Sequence, residues 1–182
     1  MKLFDNIRVS AGQYFFKKDL AKVIRNKSVI NLDEAKSIGL IYNASDEKTH
    51  LIVCDFVKYL QDEKKNVKAL GYAAYNQLPH YCFPKLSYDY FIKRDLNWYF
   101  KPSTLRINDF INTEFDIIID FSLEEVFPLL YIMALSKAKY KVGRYNEKYA
   151  AIFDFMLNVD NTVSLKDFLK EVTHYLNILN KN

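Results

Sequence analysis

The chain has 182 residues, half of them hydrophobic, and a net charge of +4. This length and composition predict one domain with a sizeable core and argue against disorder, while four glycines and four prolines are too few for a turn-rich all-β chain. No apolar stretch reaches the about 18 residues that indicate a transmembrane helix, and the N-terminus lacks the apolar region of a signal peptide. The two cysteines, Cys54 and Cys82, have neither a disulfide-framework nor a metal-ligand spacing. We therefore expect a cytoplasmic protein with no cofactor and no bound metal.

The N-terminal segment, residues 1–36, carries the whole excess of positive charge, because lysines and arginines balance acids in the remainder. Within it, residues 13–27 show apolar residues near helical spacing with lysines between them, which predicts an amphipathic helix packed on the rest of the protein. The predicted basic surface consists of Lys17, Lys18, Lys22 and Arg25. Such a surface is either a solvated helix face or a strip that binds an anionic macromolecule, a nucleic acid or a membrane surface.

Residues 37–182 alternate short apolar runs with helical segments. Apolar runs without polar alternation are typical of strands buried on both faces of a parallel sheet, and helices between them make βαβ units. We predict a single Rossmann-like α/β domain, with a mostly parallel sheet of five to six strands and helices on both faces. The predicted strands are Ser37–Tyr42, Val67–Tyr72, Tyr88–Ile92, one starting at Phe115, Lys139–Gly143 and Ile152–Asn158. Four helices are predicted: one capped by Ser45, a short one with Pro102 in its first turn, one starting at Pro128, and one capped by Ser164 with an apolar stripe at helical spacing.

The carboxyl ends of these strands indicate where a ligand would bind. In an open parallel sheet, ligands bind at the point where the strand order reverses. We expect the strands that end near Tyr42 and Asp120 to be adjacent and parallel, so that Asn43 and Ser122 face each other. The candidate ligand residues at these ends are Asn43, Ser45, Asp120, Ser122 and Glu124. Asp120, together with Glu124 or the adjacent Glu125, could act as a general base or bind a cation.

The same residues also have a structural interpretation. Ser122-Leu123-Glu124-Glu125 matches the capping-box pattern, in which Ser122 caps a helical turn and Glu125 bonds back to it. Pro128 competes with this interpretation, because proline inside a helix removes a hydrogen bond. We therefore predict a loop from Ser122 to Phe127 with the helix starting at Pro128. Ser45 is likewise predicted as the N-cap of the helix that follows it, which runs to about Lys64.

The densest cluster of polar and aromatic residues follows the third strand. It consists of Lys93, Arg94, Asp95, Asn97 and Trp98. Trp98 could stack on a sugar or base while Lys93 and Arg94 hold an anion. Alternatively, Asp95 pairs with Arg94 or caps a turn, and Trp98 covers the sheet edge. The glycine-rich motifs that cradle phosphates and the elbow motif of serine nucleophiles do not occur in the sequence.

Two stretches resemble an uncharacterised bacterial family of about this length, namely residues 31–39 and residues 93–98 with 134–139. More distantly, residues 115–120 and 136–143 are similar to a segment of lipopolysaccharide heptosyltransferases. That resemblance implies the N-terminal, acceptor-binding half of a two-domain glycosyltransferase. Those enzymes carry a Gly-Asp pair after the first strand whose carboxylate acts as a base, whereas this chain has Asn43-Ala44-Ser45-Asp46. The nucleotide-sugar half is not expected in a chain of this length.

Two functions are compatible with these patterns. The first is a non-enzymatic cytosolic α/β domain that works by binding, with the basic N-terminal helix as its contact to another macromolecule. The alternative is a degenerate or partner-dependent protein similar to the acceptor half of a glycosyltransferase.

Overall fold

In the computed structural model, the backbone is described for residues 2–179 and the side chains for residues 6–179. The strands are β1 (Ser37–Asn43), β2 (Asn66–Ala73), β3 (Tyr88–Ile92), β4 (Ile117–Asp120), β5 (Tyr140–Arg144) and β6 (Phe155–Leu157). The helices are α1 (Lys2–Leu20), α2 (Glu47–Asp62), α3 (Leu105–Asn112), α4 (Phe127–Leu135) and α5 (Leu165–Ile178). Short 3₁₀ turns lie at Lys93–Asp95 and Glu147–Tyr149.

The strands form one parallel sheet in the order β3-β2-β1-β4-β5-β6. This is the strand order of dinucleotide-binding Rossmann domains, in which the direction of winding reverses between the first and fourth strands. Here β1 and β4 are neighbours, with Leu40 opposite Ile119 and Ile41 opposite Asp120. The predicted fold class is confirmed, and so is the expectation that the strands ending near Tyr42 and Asp120 are adjacent and parallel.

Helices cover both faces of the sheet and bury two separate hydrophobic clusters. One cluster lies between the sheet and helices α2 and α5, and the other between the sheet and helices α1, α3 and α4. The apolar stripe predicted after Ser164 is the buried face of α5, where Phe168 and Val172 are completely buried. Each such side chain stabilises the fold by about 1.5–3 kcal/mol through burial. Ser164 caps this helix by accepting a hydrogen bond from the Asp167 amide, as predicted.

The N-terminal helix differs from the prediction of a helix over residues 13–27. Helix α1 ends at Leu20, and residues 23–31 have no regular secondary structure. Phe16 is buried as predicted, but Ile24 is 90% exposed. The β-branched Val23 and Ile24 are weaker helix formers, and the chain beyond them is held instead by Arg25. The Arg25 guanidinium donates to the carbonyl oxygens of residues 138 and 139 and to the Asp154 carboxylate at 2.7 Å.

This arrangement corrects the predicted basic surface. The Arg25 side chain is only 6% exposed and pairs with Asp154, so it does not belong to an outward-facing strip. Lys17, Lys18 and Lys22 are exposed as predicted. None of the helices in the described part of the chain is long and apolar enough to cross a membrane.

Candidate ligand site at the switch point

Two cavities lie at the carboxyl edge of the sheet, and Ser122, Leu123 and Glu124 form part of the wall of both. The switch-point cavity has a volume of about 240 Å³ and extends between Asn43 and Ser122. The acidic cavity has a volume of about 220 Å³ and lies between Asp120 and the end of β5. At ~30 Å³ per water molecule, each cavity has room for about seven or eight waters. Both can therefore accept a small organic ligand.

Asp120 ends β4 at the base of the acidic cavity and is 5% exposed. Its Oδ1 atom accepts a hydrogen bond of 2.9 Å from the Ser122 backbone amide. Burial raises the pKa of Asp120 to about 6, because a charged carboxylate loses its hydration there. The Ser122 amide and the nearby Ser122 hydroxyl oppose this rise in pKa only in part. The site thus contains a carboxyl group that a cation would help to ionise.

Ser122 does not cap a helix, so the capping interpretation of Ser122 and Glu125 is wrong. Helix α4 is preceded by Val126 at its cap position, and Pro128 lies in its first turn, as predicted. The Ser122 Oγ atom is buried and meets no described atom in hydrogen-bond geometry, although it lies close to Asp120. Glu125 instead accepts a hydrogen bond of 2.7 Å from the Tyr149 hydroxyl. A buried hydroxyl without a partner calls for an explanation, such as a water or a ligand.

The loop after β1 is built differently from the sequence prediction. Asp46, not Ser45, is the N-cap of α2, and its carboxylate accepts from the Thr49 amide at 2.7 Å. Ser45 accepts a hydrogen bond from the Ala74 amide at 2.8 Å, which ties the loop to the end of β2. Ser45 lines neither cavity, whereas Asn43, Asp46 and Thr49 line the switch-point cavity. The N-terminus of α2 is therefore occupied by a carboxylate of the chain itself.

The charges around the two cavities are mainly negative. Asp46, Asp120, Glu124 and Glu125 contribute carboxylates to their walls. Arg144 is the only basic residue in either described wall, and its guanidinium binds the Leu123 carbonyl and, at 2.6 Å, the Asn161 side chain. The guanidinium thus holds the wall together. This role of Arg144 is not evident from the sequence, because it depends on a contact between the end of β5 and a loop 21 residues earlier.

A third, mainly apolar cavity of about 290 Å³ lies beside the acidic cavity and shares Glu125 with it. Tyr72, Leu96, Phe100 and Phe127 are among its walls. Phe100 has a φ of 67°, which is uncommon for a bulky residue and marks local strain. The sequence contains no signal for this conformation, since glycine or asparagine is the usual residue there.

The polar and aromatic cluster after β3 is mostly structural. Asp95 accepts from the Ile92 amide and caps the 3₁₀ turn, and Asn97 accepts from the amides of residues 99 and 101. Lys93, Arg94 and Trp98 are exposed, and Trp98 does not cover the sheet edge as the structural interpretation proposed. None of these five residues lines the cavities described above. The structure therefore does not bring this cluster to the carboxyl edge.

No group of three or more His, Cys, Asp or Glu residues within the described chain is arranged to hold a metal ion. Residues 8–179 match the model of a family described as a family of unknown function, DUF6913. No curated protein and no solved structure matches the chain. The resemblance to heptosyltransferases therefore gains no support from these comparisons, whereas the resemblance to an uncharacterised family agrees with them.

Proposed function

Since the chain belongs to a family of unknown function, DUF6913, we propose from its geometry that it is a non-enzymatic module that binds a small amine-bearing ligand. The ligand would occupy the switch-point and acidic cavities at the carboxyl edge of the sheet. The observation that carries this proposal is the buried carboxyl of Asp120 in a mainly acidic cavity wall, with the buried Ser122 hydroxyl close to it. A ligand with an ammonium and hydroxyl groups would satisfy both residues.

The charge of the site favours a cation over an anion. A ligand ammonium near Asp120 would recover part of the free energy that burial of this carboxylate costs. Rossmann domains that bind nucleotides place phosphates at the N-terminus of the helix after the first strand. Here the Asp46 carboxylate already accepts a hydrogen bond from that helix end and would repel a phosphate. We therefore exclude nucleotides from the proposed ligand class.

Binding without catalysis is proposed because the walls of the two cavities contain no histidine, cysteine or lysine. The Ser122 hydroxyl lies close to Asp120 but does not meet it in hydrogen-bond geometry, so a nucleophile paired with a base is not seen at this position. A degenerate glycosyltransferase half is the weaker alternative. The catalytic base of such a transferase would have to come from the loop after β1. The carboxylate in that loop, Asp46, serves instead as the N-cap of α2.

The proposal is tested with three sugars that share one ring and differ in charge: glucosamine, N-acetylglucosamine and glucose 6-phosphate. Glucosamine should raise the melting temperature most and glucose 6-phosphate least, since a ligand at 100 times its Kd stabilises by about 2.7 kcal/mol. Ser122→Ala should abolish the effect of glucosamine without lowering the stability of the free protein. Ser103→Ala, at an exposed position outside the cavities, is the control. Stabilisation by glucose 6-phosphate alone would contradict the proposal.

A second candidate function is binding of an anionic macromolecule, a nucleic acid or a membrane surface, at the end of α1. It is supported by the exposure of Lys17, Lys18 and Lys22, and by Asp19 being paired with Lys101 at 2.7 Å. Replacing the three lysines by Gln should weaken binding to duplex DNA and lower the salt slope of log K by about three units. Duplex DNA, RNA and anionic vesicles should each be assayed at low and moderate salt. Equal binding by wild type and variant in all three assays would refute this function.

A further inference from the structure

Lys141 is a buried lysine that is only 2% exposed. It is the second residue of β5 and lines a cavity of about 460 Å³ whose walls also include Arg25, Lys27 and Ala151. This cavity shares no wall residue with the switch-point, acidic or apolar cavities. It is therefore a separate site, which the proposed binding of an amine does not use.

A neutral amine can make both of the hydrogen bonds that Lys141 forms. Its Nζ atom donates to the carbonyl oxygens of Met133 at 2.6 Å and Ala134 at 2.9 Å, in the last turn of α4. A neutral amine has two hydrogens, which these carbonyls accept, and one lone pair. Among the described residues, no third hydrogen bond from Nζ accompanies these two.

Burial and the neighbouring cations favour the neutral form of Lys141. Burial, followed by the nearby Arg25 cation, lowers the pKa of Lys141 to about 7. Lys27 acts in the same sense, whereas the negative charge of Asp154 raises the pKa of Lys141 and so opposes both cations. The carbonyls of α4 also favour the charged form, since they are at the negative end of the helix. At neutral pH a substantial fraction of the amine is nevertheless unprotonated, unlike an exposed lysine.

We propose that Lys141 is an imine-forming residue for a small carbonyl compound that carries a carboxylate, such as a 2-oxo acid. The Nζ lone pair adds to the carbonyl carbon and gives a carbinolamine. The carbinolamine then loses water and a C=N bond forms. The oxygen of this water is the former carbonyl oxygen, and its two hydrogens come from the amine. No oxidant or reductant is required. The ligand carboxylate would bind Lys27, whose side chain is 67% exposed and 3.6 Å from Asp154.

The test uses the wild-type protein with glyoxylate and cyanoborohydride, which reduces an imine to a stable secondary amine, at pH 7.5. Peptide mapping by mass spectrometry then gives the rate of labelling at each lysine. Lys139 is the internal control, because it lies two residues earlier and Asp116, at 2.8 Å, raises its pKa. Labelling of Lys141 should be at least tenfold faster than that of Lys139. Labelling of Lys139 at an equal or faster rate would overturn the proposal.

Two variants separate this site from general lysine reactivity. Ala151→Trp places an indole at an exposed wall position of the cavity and should slow labelling of Lys141 at least tenfold while Lys139 is unaffected. Lys27→Gln should remove the preference of Lys141 for glyoxylate over acetaldehyde, which lacks the carboxylate. An unchanged rate in Ala151→Trp would show that the cavity is not the route to Lys141. Equal rates with the two aldehydes in wild type would refute the carboxylate specificity.

Discussion

Asp120→Asn is expected to stabilise the folded protein by about 2–3 kcal/mol at pH 7.5. The pKa of Asp120 is about 6 in the folded protein, compared with about 3.9 for an unperturbed aspartate. Between these values the folded state binds more protons than the unfolded state, so stability falls as pH rises through this window. Each pKa unit corresponds to about 1.36 kcal/mol, and the full cost is present above pH 6. Asparagine avoids this cost and keeps an oxygen that can accept from the Ser122 amide.

This prediction is checked by urea denaturation of wild type and variant at pH 7.5 and pH 4. The advantage of Asp120→Asn should nearly vanish at pH 4, where the wild-type carboxyl is largely protonated in the folded state. Asp55→Asn, at an exposed position on α2, is the matched control and should change stability by less than about 0.5 kcal/mol. If Asp120→Asn is less stable than wild type at pH 7.5, the Asp120 carboxylate does not destabilise the folded protein and the prediction is wrong. Such a cost is expected for a residue kept for ligand binding.

Lys141 should give the protein a second pH dependence, with the opposite sign. Its pKa of about 7 in the folded protein is below the about 10.4 of an unfolded chain, so the unfolded state binds the extra proton between these values. Stability should therefore rise with pH, by up to about 1.4 kcal/mol per unit above pH 7. The useful window ends near pH 8.5, because Cys54 and Cys82 have raised pKa values that act in the opposite sense above it.

The measurement is the free energy of unfolding at pH 7 and pH 8.5 for wild type, Lys141→Met and Lys139→Met. Lys141→Met should lose most of the rise in stability, although it also leaves two carbonyls of α4 without their partner. For this reason the slopes, not the absolute stabilities, are compared. Lys139→Met breaks the pair with Asp116 and should keep the wild-type slope. Identical slopes in wild type and Lys141→Met would mean that Lys141 remains charged when it is buried.

The sheet and the position of the candidate site could be predicted because their determinants are local. The apolar residues before Asn43 and Asp120 identify buried parallel strands, and the helices after them fix the crossovers. The end of α1 could not be predicted in this way. It depends on Arg25 reaching Asp154, which lies 129 residues further along the chain.

Local motifs also gave wrong predictions where two of them overlapped. Ser122 and Glu125 have the spacing of a capping box, but Pro128 sets the start of α4 and leaves Ser122 five residues ahead of the helix. Ser45 and Asp46 are both good caps, and their order in the sequence does not decide between them. The sequence does not predict that Lys141 is buried, because a lysine in a short strand is usually exposed. Its burial becomes evident only when the C-terminus of α4 is packed against β5.

The most direct test of the proposed site is a ¹³C NMR titration of the Asp120 carboxyl, with and without saturating glucosamine. In the free protein this carboxyl should titrate near pH 6, and bound glucosamine should lower its pKa because the ligand ammonium favours the carboxylate. Glucose 6-phosphate should leave the titration unchanged. A carboxyl that titrates near its ordinary value of about 3.9, or one that is insensitive to glucosamine at saturation, would contradict an amine-binding site at the switch point.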